Sequence, residues 1–190
     1  MSTAPKPAIR ATCARLRDGT QVIVRPARQD DARYADAFFQ WLSEETKRLR
    51  FMYRVKELTP EILAAALTQD GLKRDALVVE PAQQAADDPT PVVAIGRYVS
   101  SEDPAVCELG ITVVDPWQGR GVGRVVLARL LALARRGGYR FMSAVALTSN
   151  SRMVGLAQSF GFEIHSEPGG TTTMRRSLVR SPAGRTTSPR

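Results

Sequence analysis

The segment Gln118–Gly123 reads Gln-Gly-Arg-Gly-Val-Gly, with a glycine at every second position. A turn with few side chains lets backbone N–H groups approach a ligand closely. The amphipathic stretch from Gly121 to Arg136 predicts a helix behind the turn, whose first N–H groups are unpaired and whose N-terminus carries partial positive charge. These features favour binding of a phosphate or diphosphate. A tight turn that binds nothing is the alternative.

Two familiar phosphate-binding loops do not fit this segment. A P-loop requires Gly-x-x-x-x-Gly-Lys-Ser/Thr, which the sequence lacks. A dinucleotide-binding fingerprint requires Gly-x-Gly-x-x-Gly and an acidic residue ~20 positions later. Here the third glycine comes one position early, and residues 124–162 contain no Asp or Glu. Arg120 and Arg124 are each either a phosphate ligand, through the paired donors of a guanidinium, or a solvated surface residue.

Glu108 is the one charged residue in the otherwise apolar run Val106–Val113, just before the glycine segment. Strand alternation places Glu108, Gly110 and Thr112 on one face. Burial would raise the pKa of the carboxyl group and make it a better general base. A surface glutamate on a half-exposed strand is the competing interpretation, and the residues alone favour it.

Cysteine and histidine are too few to suggest metal or disulfide chemistry. Cys13 and Cys107 are isolated thiols, and Cys107 fits a small buried residue of a strand. His165 is the only histidine and has no partner at ligand spacing, so we expect it to be a structural or surface residue and expect no metal.

The formal net charge of +8 raises the question of nucleic-acid binding. Nine of the 27 basic residues lie within residues 1–17 and 175–190, which contain no acid. The stretch between them is close to neutral, so we expect flexible basic ends and no polyanion-binding face. No apolar run approaches the ~18–20 residues of a membrane span, and residues 1–9 do not resemble a secretory signal. The sequence therefore predicts a cytoplasmic protein that binds neither nucleic acid nor membrane.

Hydrophobic periodicity predicts one mixed α/β domain around a central sheet. A length of 190 residues suits a single core, which we place at residues 14–179 between disordered tails at 1–13 and 180–190. The predicted elements, in chain order, are a turn or hairpin into a strand at 16–25, helices after Asp30 or Asp31 and after Thr59, strands at 76–80, 92–99 and 105–114, a helix at 121–136, a strand at 140–147, a helix after Asn150, and strands at 162–166 and 171–178. The strand–helix–strand unit from 105 to 147 should be a right-handed crossover with parallel strands.

At this point the sequence resembles the GNAT superfamily of acetyl-CoA-dependent N-acetyltransferases. The family signature, Gln/Arg-x-x-Gly-x-Gly/Ala, is matched by Gln118, Gly121 and Gly123. Asn150 at the start of a helix that ends in Gly161-Phe162 is similar to the family's second cofactor segment. The stretch Leu16–Met52 is most similar to bacterial protein-lysine acetyltransferases of the Pat type.

The resemblance implies a central, mixed, mostly antiparallel sheet of about seven strands flanked by about four helices. It also implies acetyl-CoA as the acyl donor, with no metal. The implied cofactor-binding residues are Ile111, Thr112 and Val113 along the pantetheine arm, Gln118, Gly119, Arg120, Gly121, Val122, Gly123 and Arg124 around the diphosphate, and Asn150 and Met153 beyond the fork between two strands. Asn150 is equally well explained as an ordinary helix N-cap.

For catalysis, the resemblance makes Glu108 the general base of direct transfer to an amine in a ternary complex. Many family members supply a tyrosine to protonate the departing thiolate, at the position that Ala157 occupies here. The Pat-type resemblance implies a protein lysine as acceptor, on a partner such as an acyl-CoA synthetase, and homodimers are common in such folds. A small-molecule amine acceptor and a non-catalytic acyl-CoA sensor are the alternatives.

Overall fold

The computed structural model of the chain describes residues 9–52, 67, 73–84 and 91–179. The helix predicted after Thr59 lies outside these residues, apart from the buried Leu67. Most of both predicted tails also lies outside them. None of the described helices is long and apolar enough to cross a bilayer.

The described residues form eight strands and four α-helices. The strands are β1 Thr12–Arg15, β2 Gln21–Pro26, β3 Arg74–Pro81, β4 Ala94–Ser100, β5 Val106–Val113, β6 Phe141–Leu147, β7 Glu163–Glu167 and β8 Thr171–Ser177. The helices are α1 Ala35–Gln40, α2 Glu44–Phe51, α3 Val122–Arg136 and α4 Ser151–Ser159, with short 3-10 turns at Gln29–Tyr34 and Asp115–Trp117.

The strands form one sheet in the order β1-β2-β3-β4-β5-β6-β8-β7. Every neighbouring pair is antiparallel except β5 and β6, which are parallel. Helix α3 connects these two strands, as the predicted strand–helix–strand unit requires. The mixed, mostly antiparallel sheet is therefore confirmed, with one strand more than the expected seven.

A hairpin between β1 and β2 forms where the Asp-Gly turn predicts it. Gly19 has φ +88°, a left-handed conformation that glycine adopts without steric cost. The Thr20 amide donates a 2.9 Å hydrogen bond to the Asp18 carboxylate, which closes the turn. Strand β1 overlaps the tail predicted at residues 1–13, and that boundary was therefore wrong. Arg15, in β1, and Arg175 and Arg176, in β8, are likewise strand residues and not parts of flexible ends.

Helix α3 packs closely on the sheet because β4 has no side chain at the contact. A Cβ atom built on Gly96 would lie 2.2 Å from Val126 Cγ1 of α3, so only glycine permits this approach. Gly96 is paired with Ile111 of β5. The neighbouring positions Gly110 and Thr112 contact Arg50 of α2. Since side chains alternate along a strand, α2 and α3 lie on opposite faces of β5.

The first helical region differs from its prediction in how it begins. Neither Asp30 nor Asp31 is the N-cap of α1, because a 3-10 turn precedes the helix. Asp31 is buried, where its carboxylate accepts hydrogen bonds from the Arg25 side chain at 2.7 and 2.9 Å. Burial alone would raise the pKa of Asp31, but the Arg25 hydrogen bonds lower it below its ordinary value. The apolar face predicted for this region is buried as expected, at Ala35, Phe38, Phe39 and Leu42.

Candidate active site

Strands β5 and β6 pair over only part of their length. Their register runs from Val106 opposite Phe141 to Glu108 opposite Ser143 and then stops. On its other edge β5 remains paired with β4 as far as Val113. Among the described residues, the main chain of 109–113 therefore has no strand partner on one edge, and this edge faces a gap between β5 and β6.

A cavity of about 740 Å³ occupies this gap. This volume is within the range of pockets that hold small molecules and cofactors. Its walls come from α2, the free part of β5, the segment Gln118–Gly123, the second half of β6, the first turn of α3, one side of α4 along its length, and Arg17 of the β1–β2 turn. Ile111, Thr112 and Val113 line the cavity, and their contact with a pantetheine arm stays a prediction.

The glycine segment forms one end of the cavity. Gly119 and Gly121 have φ values of +73° and +103°, so both are in the left-handed region that disfavours other residues. Gly121 is the N-cap of α3, and the first hydrogen bonds to its carbonyl oxygen come from Arg124 and Val125 at 3.1 and 3.2 Å. Val122 and Gly123 come before the first residues whose amides bond within the helix. Their N–H groups are therefore among those that a helix N-terminus leaves without an intrahelical acceptor.

Gln118 braces the segment through its side chain. Its Nε2 donates to the Val113 carbonyl oxygen at 3.0 Å and to Thr46 Oγ1 at 3.1 Å, while Arg152 donates to its Oε1. The signature glutamine thus ties the end of β5 to α2 and α4. Because this side chain is engaged, we predict that Gln118 contacts the cofactor through its main chain.

The Arg120 side chain does not line the cavity, contrary to the phosphate contact expected of it. Its Nε donates to Asp18 Oδ2 at 2.7 Å, and its Nη2 donates to Thr20 Oγ1 at 2.7 Å. Its guanidinium lies 4.1 Å from the centroid of the Trp117 ring. The hydrogen bonds from the Thr20 amide and from Arg120 lower the pKa of Asp18 to about 2. Arg120 therefore joins the β1–β2 turn to the glycine segment.

Val122 is buried and its side chain also lies outside the cavity lining, whereas Arg124 is exposed and lines it. Arg124 Nη1 donates to Ser159 Oγ at 2.7 Å, and its guanidinium lies 5.0 Å from the centroid of the Phe160 ring. These contacts hold Arg124 along α4, at the same end of the cavity as the glycine segment.

Asn150 and Met153 both line the cavity at the start of α4. The Asn150 Oδ1 atom accepts a hydrogen bond from the Met153 amide at 3.1 Å. The N-cap interpretation of Asn150 is therefore confirmed. Its contact with a cofactor stays a prediction.

Glu108 is exposed, and the cavity lining on β5 begins only at the next residue, Leu109. The burial considered for this carboxylate is therefore absent. Glu108 lies on the same strand face as Gly110 and Thr112, where the Arg50 side chain packs and donates from Nε to Thr112 Oγ1 at 2.9 Å. Its role as the base stays a prediction that depends on its position at the last paired residue of the β5–β6 fork.

Several other residues are structural. Cys107 is buried and His165 is exposed on β7, as expected. Tyr139 is buried, with its ring edge-to-face against Tyr98 at a centroid distance of 5.5 Å. Ala157, at the position of the family tyrosine, is fully buried.

Several polar residues of the cavity wall were not predicted from the sequence, among them Arg17, Arg50, Asp115 and Arg152. Asp115 accepts hydrogen bonds from the Ser43 amide at 2.9 Å, from Ser43 Oγ at 2.7 Å and from Thr46 Oγ1 at 3.0 Å. Ser43 is the N-cap of α2, so Asp115 attaches the first turn of this helix to the glycine segment. The sequence around Asp115 and Pro116 does not indicate that this carboxylate bonds to residues about 70 positions earlier in the chain.

The chain matches the acetyltransferase (GNAT) domain family over residues 21–163. With the fork between β5 and β6 and the glycine segment at the start of α3, this match shows that the chain belongs to the GNAT family of N-acetyltransferases.

Among individual proteins, the chain is 32% identical to acetyltransferase PA5475 of Pseudomonas aeruginosa over 164 residues, which cover 86% of this chain and 87% of that protein. Its fold is similar to the GNAT domain of S. lividans PAT, with a TM-score of 0.77, 24% identity and coverage of 88% of this chain and 96% of that one. It is also similar to YncA of Salmonella typhimurium, a putative acetyltransferase solved with its cofactor acetyl-CoA, with a TM-score of 0.66, 21% identity and coverage of 85% and 96%.

Proposed function

We propose that the protein transfers the acetyl group of acetyl-CoA to a primary amine, namely a protein lysine, directly within a ternary complex. The observation that carries this proposal is the continuous cavity from the glycine segment to the β5–β6 fork. A donor whose diphosphate and thioester are separated by an extended pantetheine arm suits a cavity of this shape. The fold neighbour that contains acetyl-CoA supports this choice of donor.

The donor would be held mainly by main-chain groups. The amides between Gln118 and Gly123 would bind the diphosphate, where the left-handed glycines and the α3 N-terminus favour an anion. The unpaired edge of β5 at Ile111–Val113 would pair with the amides of the pantetheine arm as an added strand does. We call the glycine segment and the first turns of α3 and α4 the donor end of the cavity.

Acetyl transfer requires a neutral amine, whereas a lysine amine with a pKa of about 10.4 is mostly protonated near neutral pH. Glu108 would accept its proton, directly or through a water molecule. The thioester carbonyl gains negative charge as the amine attacks, and the N–H groups of the free β5 edge would stabilise this charge. We call Glu108, the exposed Val145 and the α2 residues Leu49 and Arg50 the acceptor end.

The departing thiolate has two serine candidates near it, because Ser151 and Ser159 both line the cavity. Ser159 Oγ donates to the Leu156 carbonyl oxygen at 2.7 Å and accepts from Arg124, so its proton is already engaged. Ser151 or a water molecule is therefore the better proton source in place of the absent tyrosine.

The acceptor end is open enough for a side chain presented by a protein. Val145 of β6 is 53% exposed although it lines the cavity, and Glu108 is exposed on the neighbouring strand β5. A small amine that carries a carboxylate is the second candidate, because Arg50 lines the same end of the cavity. A protein lysine would bind through its amine and the surrounding polypeptide, whereas the small amine would bind through its amine and its carboxylate.

An acceptor screen tests the proposal. Release of the CoA thiol from acetyl-CoA is followed with lysine-containing proteins and peptides, with polyamines and with free amino acids, and acetylated products are identified by mass spectrometry. We expect turnover with lysine in a protein or peptide and little with the small amines. The reverse preference would replace the protein acceptor by a small one. Tight CoA binding without thiol release from any amine would instead identify a non-catalytic acyl-CoA sensor.

A further inference from the structure

The turn between β1 and β2 is fastened to the glycine segment by one guanidinium. Arg120 donates to Asp18 and to Thr20, both at 2.7 Å, and stacks on the buried Trp117 ring. The carboxylate of Asp18, with a pKa lowered to about 2, is ionised at any physiological pH. These contacts place a hairpin from the edge of the sheet against the donor end of the cavity.

Arg17 precedes Asp18 in this turn, and it lines the cavity. A Cβ atom built on Gly121 would lie 3.9 Å from Arg17 Cγ, so the stem of this side chain lies beside the N-cap of α3. The side chain is exposed, and the structure gives it no ion-pair partner among the residues that it describes. Its guanidinium can therefore reach a ligand that is bound at the Gly121 amide.

The charges around the donor end favour such a ligand when it is an anion. Arg17, Arg124 and Arg152 come from three different elements and all line the cavity. The two acids in the described part of the lining are already occupied. Glu45 pairs with Arg48 at 2.8 Å, and Asp115 accepts the hydrogen bonds of Ser43 and Thr46.

We propose that Arg17 is a further phosphate-binding residue of the donor site, and that Asp18 and Arg120 are positioning residues that hold it there. This inference rests on the proposed placement of acetyl-CoA with its diphosphate at Gln118–Gly123. Arg120 belongs to the glycine segment, yet two of its donors are used on the hairpin. The hairpin in turn supplies a cation from outside the segment, and a guanidinium can bind two phosphate oxygens at once.

Binding of CoA and of dephospho-CoA, which lacks only the 3′-phosphate, tests Arg17 by isothermal titration calorimetry on the full chain. We expect Arg17→Ala to raise the Kd for CoA about tenfold, the effect of losing one charged hydrogen-bonding group. An equal loss for both ligands assigns the contact to the diphosphate, and a loss for CoA alone assigns it to the 3′-phosphate. The matched control is Arg15→Ala, an exposed arginine of the same hairpin that does not line the cavity, and it should leave the Kd unchanged.

A charge contact also has a signature that a merely structural role lacks. The tenfold difference between wild type and Arg17→Ala should shrink at 0.5 M NaCl, where the Debye length is a few Å. Arg17→Lys should recover part of the affinity. An unchanged Kd for both ligands in Arg17→Ala, or an equal loss in Arg15→Ala, overturns the proposal.

The positioning role is tested by combining variants. Asp18→Asn should weaken CoA binding about threefold in the wild-type background and have no further effect in Arg17→Ala, since it acts through Arg17. Additive losses, or tighter binding in Asp18→Asn, would refute this role. Failure of the wild-type protein to bind millimolar CoA would refute the proposed function itself. Wild-type binding that survives Arg17→Ala refutes only the inference.

Discussion

The two ends of the cavity are built in different ways. At the donor end, hydrogen bonds hold the polar side chains in place: Gln118 donates to Thr46, Asn150 accepts from the Met153 main-chain amide, and Arg120 donates to Asp18. At the acceptor end, the residue that matters most for the proposed chemistry, Glu108, is exposed on the last paired position of a strand. At the donor end, side-chain hydrogen bonds hold the main-chain groups in position. The proposed chemistry at the acceptor end depends on a single carboxylate.

This difference implies that the two ends should respond to mutation in separable ways. If main-chain groups bind the donor, losing one hydrogen-bonded side chain should raise the Kd for CoA less than a change of backbone conformation does. A site that depends on one carboxylate should lose its chemistry when that group is neutralised and keep its donor. Three measurements examine these expectations, from the largest effect to the smallest.

Neutralising Glu108 should have the largest effect. Glu108→Gln keeps the size of the side chain but cannot accept the amine proton, so kcat should fall about 100-fold while the Kd for CoA stays within twofold. Steady-state thiol release and calorimetry measure the two quantities. Glu163→Gln on β7 is the matched control, because it removes another exposed strand carboxylate and should leave kcat unchanged. Unaltered kcat in Glu108→Gln at every pH would remove Glu108 from the mechanism.

A side chain at Gly121 should act on the donor instead. Gly121→Val places a β-branched residue at φ +103°, where the strain costs about 1–3 kcal/mol, and adds bulk beside the amides of the segment. We expect the Kd for CoA to rise about 30-fold. Gly138→Val introduces similar strain at φ +83° beyond the other end of α3, with open space around the new side chain. Comparable loss of CoA binding in both variants would attribute the effect to strain and would contradict a ligand at Gly121.

The smallest expected effect is a lowered pKa of one carboxyl group, that of Asp18. The Asp18 carboxyl group should titrate near pH 2 by carbon-detected NMR, against an ordinary value of 3.8. Because its pKa is lowered in the folded state, its contribution to stability is complete above about pH 4 and is lost as the pH falls through about 2. In Arg120→Ala the pKa should rise only part of the way, since the Thr20 amide is the larger cause of the lowering. A full return to 3.8 would mean that Arg120 alone sets it.

Local signals in the sequence were sufficient for much of the fold and of the donor end. The helical periodicity of α3, the turn at the glycines before it and the N-cap Asn150 each depend on neighbours within a few residues, and the structure shows all three elements. The parallel pairing of β5 with β6 followed from the helix that connects them.

Features that depend on distant partners were missed. Strand β1 is short and mostly exposed at the sheet edge, so its sequence lacks the apolar alternation of a buried strand and only the Asp-Gly turn after it indicates a hairpin. Helix α2 buries none of its residues, and no hydrophobic face indicates it. For Arg120 the sequence offers a phosphate contact or a solvated side chain, because its partner Asp18 lies 102 residues away in the chain.

The hydrogen bonds of Asp115 limit how α2 can be exchanged when substrate preference is redesigned. Its carboxylate holds the N-cap and first turn of α2 at the start of the glycine segment. A chimera that exchanges α2 for the corresponding helix of a relative would leave this carboxylate unsatisfied unless Ser43 and Thr46 are transplanted with it. Module swapping between family members should therefore cut the chain before Ser43 and preserve these two hydroxyl groups.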